Sequence, residues 1–271
     1  MKPIISLGEA LIDFVPHSVG VELPEVENFS RKPGGAPANV AAAAAKLGAD
    51  VYFIGKIGKD AFGKVIQKTL SISGVKIDFL TQTDMSNTPL AFVSLKTDGE
   101  RDFAFYRNRS ADLLLEKDDI PLHLLSEASV FHFGSLSLTD DPSRTATLFA
   151  AQEAQARGCV ISYDPNLRPP LWPSLVEAKE RILHAMKLAD LVKINEEELV
   201  FLTDSTDVNP ITAPNLKARA KQLYKRYGLL CLLVTLGAKG CLYITKDCTN
   251  VVRGIDVKAL DTTGAGDAFV G

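Results

Sequence analysis

Apolar runs of strand length recur along the chain, at residues 4–7, 51–54, 130–133, 160–163, 191–194 and 230–234. Few polar residues interrupt them. Strands buried on both faces read this way, because neither face meets water, and such strands build a mostly parallel sheet. Segments with helix punctuation lie between the runs. Asp141-Pro142 opens one, as a cap followed by a proline at the first helical position, and Gly158 closes it. Asp60 opens another that runs to Gly74, and the alanine-rich stretch 37–47 ends at Gly48. Strand–helix alternation predicts βαβ units with right-handed crossovers and helices on both faces of the sheet. With 271 residues, 46% of them hydrophobic, the chain can bury the core of one α/β domain spanning 1–271.

One region breaks the alternation. Leu90–Leu95 and residues 102–107 are rich in β-formers and flank Asp98-Gly99, a hairpin-turn dipeptide. Residues 15–32 are irregular or strand-like, with Pro16, Pro24 and Pro33 limiting helix. Together, about 15–32 and 88–110 are expected to form a small β lid over the main sheet. The alternative is an edge extension of that sheet.

Composition removes several classes of function. Thirty Lys and Arg against 33 Asp and Glu leave a net charge of −3, without the basic surplus that neutralises nucleic-acid phosphates. No apolar run approaches the ~20 residues of a membrane span. Glu9 and Asp13 interrupt the N-terminal apolar stretch, which therefore does not read as a signal peptide. The cysteines at 159, 231, 241 and 248 form no CxxC pair. A reduced cytoplasmic enzyme is expected, or one of the plastid stroma, without disulfides or zinc.

Polar residues gather just after the apolar runs: Asp13 after the first, Asp164, Asn166 and Arg168 after 160–163, Asn195 and Glu198 after 191–194, Thr235 and Gly237 after 230–234. In open α/β sheets ligands bind at these carboxyl ends. Each residue alone could be an ordinary helix cap; four runs ending alike point to a site. Two glycine junctions sharpen it. Gly34-Gly35-Ala36-Pro37-Ala38-Asn39 leads into the alanine-rich helix, where Asn39 can present its amide to a hydroxyl. Asp261-Thr262-Thr263-Gly264-Ala265-Gly266-Asp267 would turn consecutive backbone N–H groups toward an anion. A carboxylate beside an anion site makes chemical sense when it takes a proton from a nucleophile attacking that anion. Asp267 is therefore read as the base of a phosphoryl transfer to an alcohol. Gly58-Lys59-Asp60-Ala61-Phe62-Gly63-Lys64-Val65 nearly spells a Walker A loop, but Val65 stands where a hydroxyl must hold magnesium. The four histidines fall in no catalytic or metal-binding spacing.

The two junctions, with Gly55, Gly58, Asp60 and Gly63, resemble the paired signatures of the ribokinase/fructokinase (phosphofructokinase-B type) family of sugar kinases. The resemblance spans essentially the whole chain. Phe105-Tyr106-Arg107-Asn108, Ser110-Ala111-Asp112 and Tyr163-Asp164-Pro165-Asn166-Leu167-Arg168 with Leu171-Trp172 look like the fructokinases within it. The resemblance implies a ribokinase-like α/β fold. It also implies sugar binding by Asp13, Gly34, Gly35 and Asn39, with Phe105 and Arg107 reaching in from the lid. By the same resemblance Asn195 and Glu198 serve magnesium and phosphate, Glu198 through water, and Thr235, Gly237 and Gly240 line the nucleotide. Asp261 and Thr263 would hold a monovalent cation such as K+. Gly264, Ala265 and Gly266 would form the anion hole for Asp267, with Arg168 stabilising charge on the transferred group.

ATP, with Mg2+, would phosphorylate fructose to fructose 6-phosphate. Alternatives are 2-keto-3-deoxygluconate, whose carboxylate would want Arg107 or Arg168, another sugar of the family, and a sugar-binding pseudokinase. A homodimer through the lid is expected. Family members continue by roughly 40 residues beyond the position of Gly271, and in those residues the resemblance places the rest of the anion-hole helix, the adenine pocket and the cation site.

Overall fold

The computed structural model describes residues 2–18, 20–95, 101–203, 213–257 and 264–271. The apolar runs become neighbouring strands. β1 (Ile4–Leu7) is an interior strand, third from one edge, of a sheet whose order is β13-β12-β11-β10-β9-β8-β1-β4-β5 among the described residues. β4 (Val51–Gly58) and β8 (Val130–Gly134) flank β1 in parallel. β5 (Leu80–Thr83), β9 (Val160–Asp164), β10 (Leu191–Asn195) and β11 (Cys231–Thr235) extend the parallel run. β12 (Cys241–Thr245) and β13 (Thr249–Val252) close one edge antiparallel. The run lengths do not reveal β5 or β13, because Leu-Thr-Gln-Thr has one buried apolar residue and β13 is almost wholly exposed.

Alternation along β1 and β4 divides the core between two faces. Ile5, Leu7 and Ile54 pack in one cluster; Ile4, Val51, Phe53 and Ile57 pack in another with α1 (Ala36–Lys46) and α2 (Ala61–Ile72). Each fully buried side chain of this size contributes about 1.5–3 kcal/mol. The first cluster receives α3 (Leu122–Glu127), α4 (Ser143–Ala156), α5 (Leu175–Met186), α6 (Glu196–Leu202) and α7 (Ala213–Tyr227). Helices thus cover both faces, as expected of βαβ units.

Local signals are mostly realised. Asp60 caps α2, accepting from the N–H groups of Phe62 and Gly63 at 2.9 and 2.8 Å. At α4 the proline sits one position earlier than expected. Pro142 is itself the N-cap, and Asp141 accepts instead from the Thr145 N–H, which lies in the first turn. Among the described residues no helix is long and apolar enough to cross a membrane.

A second sheet stands apart with the order β3-β2-β6-β7. It comprises β2 (Leu11–Pro16), β3 (Phe29–Gly34), β6 (Leu90–Leu95) and β7 (Arg101–Tyr106). The edge-extension alternative falls with that topology. The strands bracket the 15–32 segment rather than fill it: between β2 and β3 lie an irregular stretch and one 3-10 turn, Leu23–Glu25. Phe14 stacks on Phe92 at 4.7 Å between ring centroids and meets Phe62 of α2 edge-on at 5.7 Å, tying this sheet to the larger body. The Asp98-Gly99 turn lies outside the described residues.

Candidate active site

A polar cleft with about 270 Å³ open to water lies where the carboxyl ends of β9, β10 and β11 face the small sheet. From the small sheet come Asp13 of β2, Val93 of β6 and Phe105 of β7. Gly35, Ala36 and Asn39 line it at the start of α1; Asn166 and Arg168 follow β9. Lys193, Asn195 and Glu198 border it from β10 and α6, Thr235 from β11. Gly264, Gly266 and Asp267 complete it at the start of α8 (Ala265–Val270). Asp13 therefore enters from a small-sheet strand and not from a loop at the end of β1.

Asp267 is buried and held from two sides. Its Oδ2 accepts from Asn39 Nδ2 at 2.8 Å, and its Oδ1 accepts from Asn166 Nδ2 at 3.0 Å. A carboxylate with both oxygens held and the cleft before it has a fixed direction for proton uptake. Gly264 caps α8 in the left-handed region, at φ 73°, so the backbone turns sharply just before the Asp267 helix. Arg168 lines the same cleft, and one of its guanidinium nitrogens donates to the Leu167 carbonyl at 3.1 Å.

Asn195 and Glu198 form a capping box. Glu198 N–H donates to Asn195 Oδ1 at 2.7 Å, and Asn195 N–H donates to Glu198 Oε2 at 2.8 Å. The other oxygen, Oε1, accepts from Leu167 N–H at 2.8 Å. Three-residue spacing puts both side chains on one helical turn, which is why the cap and the cleft share them. Each Glu198 oxygen already accepts a backbone N–H, so the residue fits a magnesium ion held through water better than one held directly. Among the described residues no three His, Cys, Asp or Glu side chains converge as direct metal ligands.

Two cleft residues carried no motif. Glu9 accepts from Ala36 N–H at 3.0 Å through Oε1, while its Oε2 is buried without a hydrogen-bond partner among the described residues. Burial pushes its carboxyl up to about 7, against the pull of Arg107. Lys193 is buried with its Nζ 3.0 Å from Asp164 Oδ2. Burial pushes Asp164 above the usual carboxylate range, with Lys193 opposing it. Lys193 itself is raised: burial works against its ammonium, but the carboxylates of Asp164, Glu198 and Asp267 outweigh it. The only sequence signal for either residue was a charge inside an otherwise apolar segment.

Other expected residues lie elsewhere. Arg107 does not line this cleft. It is 5% exposed, paired with Asp112 through Nε at 2.8 Å, and donates to Thr139 Oγ1 and the Leu136 carbonyl, also at 2.8 Å. Gly237 and Gly240 sit in the β11–β12 turn, and Ala265 is exposed at the start of α8; none of the three lines the cleft. Gly34 ends β3 opposite Leu11, against the Asp13 carboxylate. Asp261 and Thr263 fall outside the described residues.

The profile described as "pfkB family carbohydrate kinase" matches residues 1–271. The chain belongs to the pfkB family of carbohydrate kinases. This pfkB kinase is 48% identical over 273 residues to Fructokinase-2 of Solanum habrochaites, covering 99% of this chain and 79% of the relative. It is 47% identical over 268 residues to Fructokinase-1 of Zea mays, covering 99% of this chain and 80% of that one. Among solved structures, the ATP-bound fructokinase of Xylella fastidiosa superposes with a TM-score of 0.86 at 37% identity, over 99% of this pfkB kinase and 79% of that chain. A Vibrio cholerae O395 fructokinase double mutant, with fructose, ADP and potassium bound, gives 0.85 at 36% identity, over 100% and 81%. The ribokinase-like fold expected from the sequence is the fold of these neighbours.

Proposed function

We propose that this pfkB kinase transfers the γ-phosphoryl group of ATP to fructose, giving fructose 6-phosphate, with Asp267 as general base. The observation that carries the reading is the double clamp on Asp267 by Asn39 and Asn166 at the floor of the cleft. A sugar hydroxyl is a poor nucleophile until its proton has somewhere to go. Asp13 and the amides around Gly35 bind sugar hydroxyls, and Phe105 covers the sugar from the small sheet. The N–H groups of the Gly264–Gly266 turn meet the equatorial phosphoryl oxygens, and Arg168 supplies positive charge there. Glu198 and Asn195 would hold a magnesium ion through its water shell, and that ion would supply positive charge to offset the nucleotide phosphates. Asp261 and Thr263, which lie outside the described residues, would hold a monovalent cation. Thr235, Gly237 and Gly240 follow the nucleotide. Closing the small sheet over the cleft excludes water, so that ATP is not hydrolysed instead.

The structure's handling of Arg107 favours fructose over 2-keto-3-deoxygluconate. Engaged by Asp112, Thr139 and the Leu136 carbonyl outside the cleft lining, the Arg107 guanidinium is not placed to meet a substrate carboxylate, which leaves Arg168 as the one arginine of the two at the cleft. Pairing of two copies through the small sheet belongs to the same reading, supported by Tyr106, which is 66% exposed on β7. The same reading places the enzyme in the cytoplasm or the plastid stroma. One relative, 45% identical over 273 residues, carries "chloroplastic" in its name.

The test is a coupled assay of ADP release across a sugar panel. Fructose should give the highest kcat/KM, with 2-keto-3-deoxygluconate at least tenfold lower. Fructose-independent ATP hydrolysis at the same rate would overturn the proposal.

A further inference from the structure

Behind Asp267 runs a line of side chains that phosphoryl transfer does not by itself require. Lys193 stands in β10 between buried Val192 and Ile194, where an ammonium is costly unless paired. Its Nζ donates to Asp164 Oδ2 at 3.0 Å. The other oxygen, Asp164 Oδ1, accepts from the Asn166 N–H at 3.1 Å. Asn166 has φ 47°, a left-handed conformation disfavoured for residues with a Cβ and tolerated by Asn when an Asp two residues earlier accepts from its N–H. That conformation aims the Asn166 amide at Asp267 Oδ1, 3.0 Å away.

A second contact leads to the same carboxylate. A Cβ placed on Gly266 would lie 3.0 Å from Lys193 Nζ, so the ammonium sits directly beneath the helical turn that carries Asp267. Of the remaining charged groups, Glu198 of α6 and Arg168 after β9 line the same cleft. Two apolar residues would fill the Lys193–Asp164 space at lower desolvation cost. What they could not do is hold Asn166 in its left-handed turn.

We infer that Lys193, through Asp164 and Asn166, is a positioning device for the Asp267 carboxylate. The inference rests on Asp267 being the base, and the experiment separates the two. Asn166→Gly keeps the positive φ and removes only the amide. Asp164→Asn and Lys193→Met break the line further back. Each variant is assayed alone and in an Asp267→Asn background, with thermal unfolding recorded.

Alone, each should lower kcat about 10- to 100-fold while the KM for fructose and for ATP stays within about threefold. In the Asp267→Asn background none should lower kcat further, because all act through the same carboxylate. If Lys193→Met does not fold, Asn166→Gly and Asp164→Asn carry the comparison. Wild-type kcat in Asn166→Gly, or a full multiplicative loss in the Asp267→Asn background, overturns the positioning role. Loss in Asn166→Gly but not in the other two overturns the part given to Lys193 and Asp164. Near-normal kcat in Asp267→Asn alone overturns the base assignment instead.

Discussion

The Asn39 side-chain amide donates to Asp267 Oδ2 at 2.8 Å, joining residues 228 positions apart. One belongs to the first turn of α1, after the Gly34-Gly35 junction, and the other to α8, after Gly264. The two glycine-rich segments that stand out in the sequence are thus one site, closed by a hydrogen bond between them. Removing the carboxylate's charge while keeping its shape should strip the reaction of its proton acceptor. Asp267→Asn is expected to lower kcat by about 10² to 10⁴. Fructose affinity, measured by calorimetry, should change less than about threefold. A kcat within a factor of three of wild type would remove Asp267 from the base role.

Asp13 should behave differently, because in the proposed reaction it binds the sugar and does not take the proton. Asp13→Ala is expected to raise the fructose KM by at least tenfold, with kcat reduced far less. Steady-state kinetics over a wide fructose range separates the two parameters. Equal losses in kcat and kcat/KM would place Asp13 in the chemical step.

Gly34 tests the same corner sterically. A methyl group there would run into the Asp13 carboxylate and lie 3.3 Å from Leu11 Cδ1. Gly34→Ala should therefore displace Asp13 and reproduce the rise in fructose KM, with the ATP KM little altered. An unchanged fructose KM would mean that the position of Asp13 does not matter for binding.

Glu9 predicts a pH dependence of stability. Its folded-state pKa of about 7 lies above the ordinary 4.5, because burial disfavours the carboxylate. The folded protein keeps a proton that the unfolded chain releases between those values. Stability therefore falls as pH rises from 4.5 to 7 and levels off above. His132 works in the opposite sense. Burial, with the charge of Lys193, lowers it from 6.5 to about 3, so its contribution is lost as pH falls through that window. Glu9→Gln isolates the first effect. Its unfolding free energy relative to wild type should climb by about 1.4 kcal/mol per pH unit between 4.5 and 7. Denaturant titrations at several pH values measure this, and a difference flat across the window would contradict it.

Much of the architecture could be read in advance because burial on both faces leaves an apolar signature. The central strands and the Asp60 cap show this. β13 escaped because an edge strand facing water needs no apolar run. Within the cleft, residues next to glycine turns were legible, since backbone geometry leaves a mark in residue type. Lys193 and Glu9 were not, because a buried charge is explained by its partners and those lie 29 and 27 residues away. Arg107 shows the converse. Its motif pointed to substrate, while Asp112, five residues on, occupies the guanidinium.

In the proposed reaction Asp267 takes the proton from a fructose hydroxyl as ATP gives up its γ-phosphoryl. Phosphorus NMR of the wild-type protein and Asp267→Asn, each incubated with ATP, Mg2+ and fructose, tests it most directly. Fructose 6-phosphate and ADP are expected in equal amounts from the wild type. Asp267→Asn should give the same product at least a hundredfold more slowly. Inorganic phosphate in place of a sugar phosphate, or equal rates from the two proteins, would contradict it.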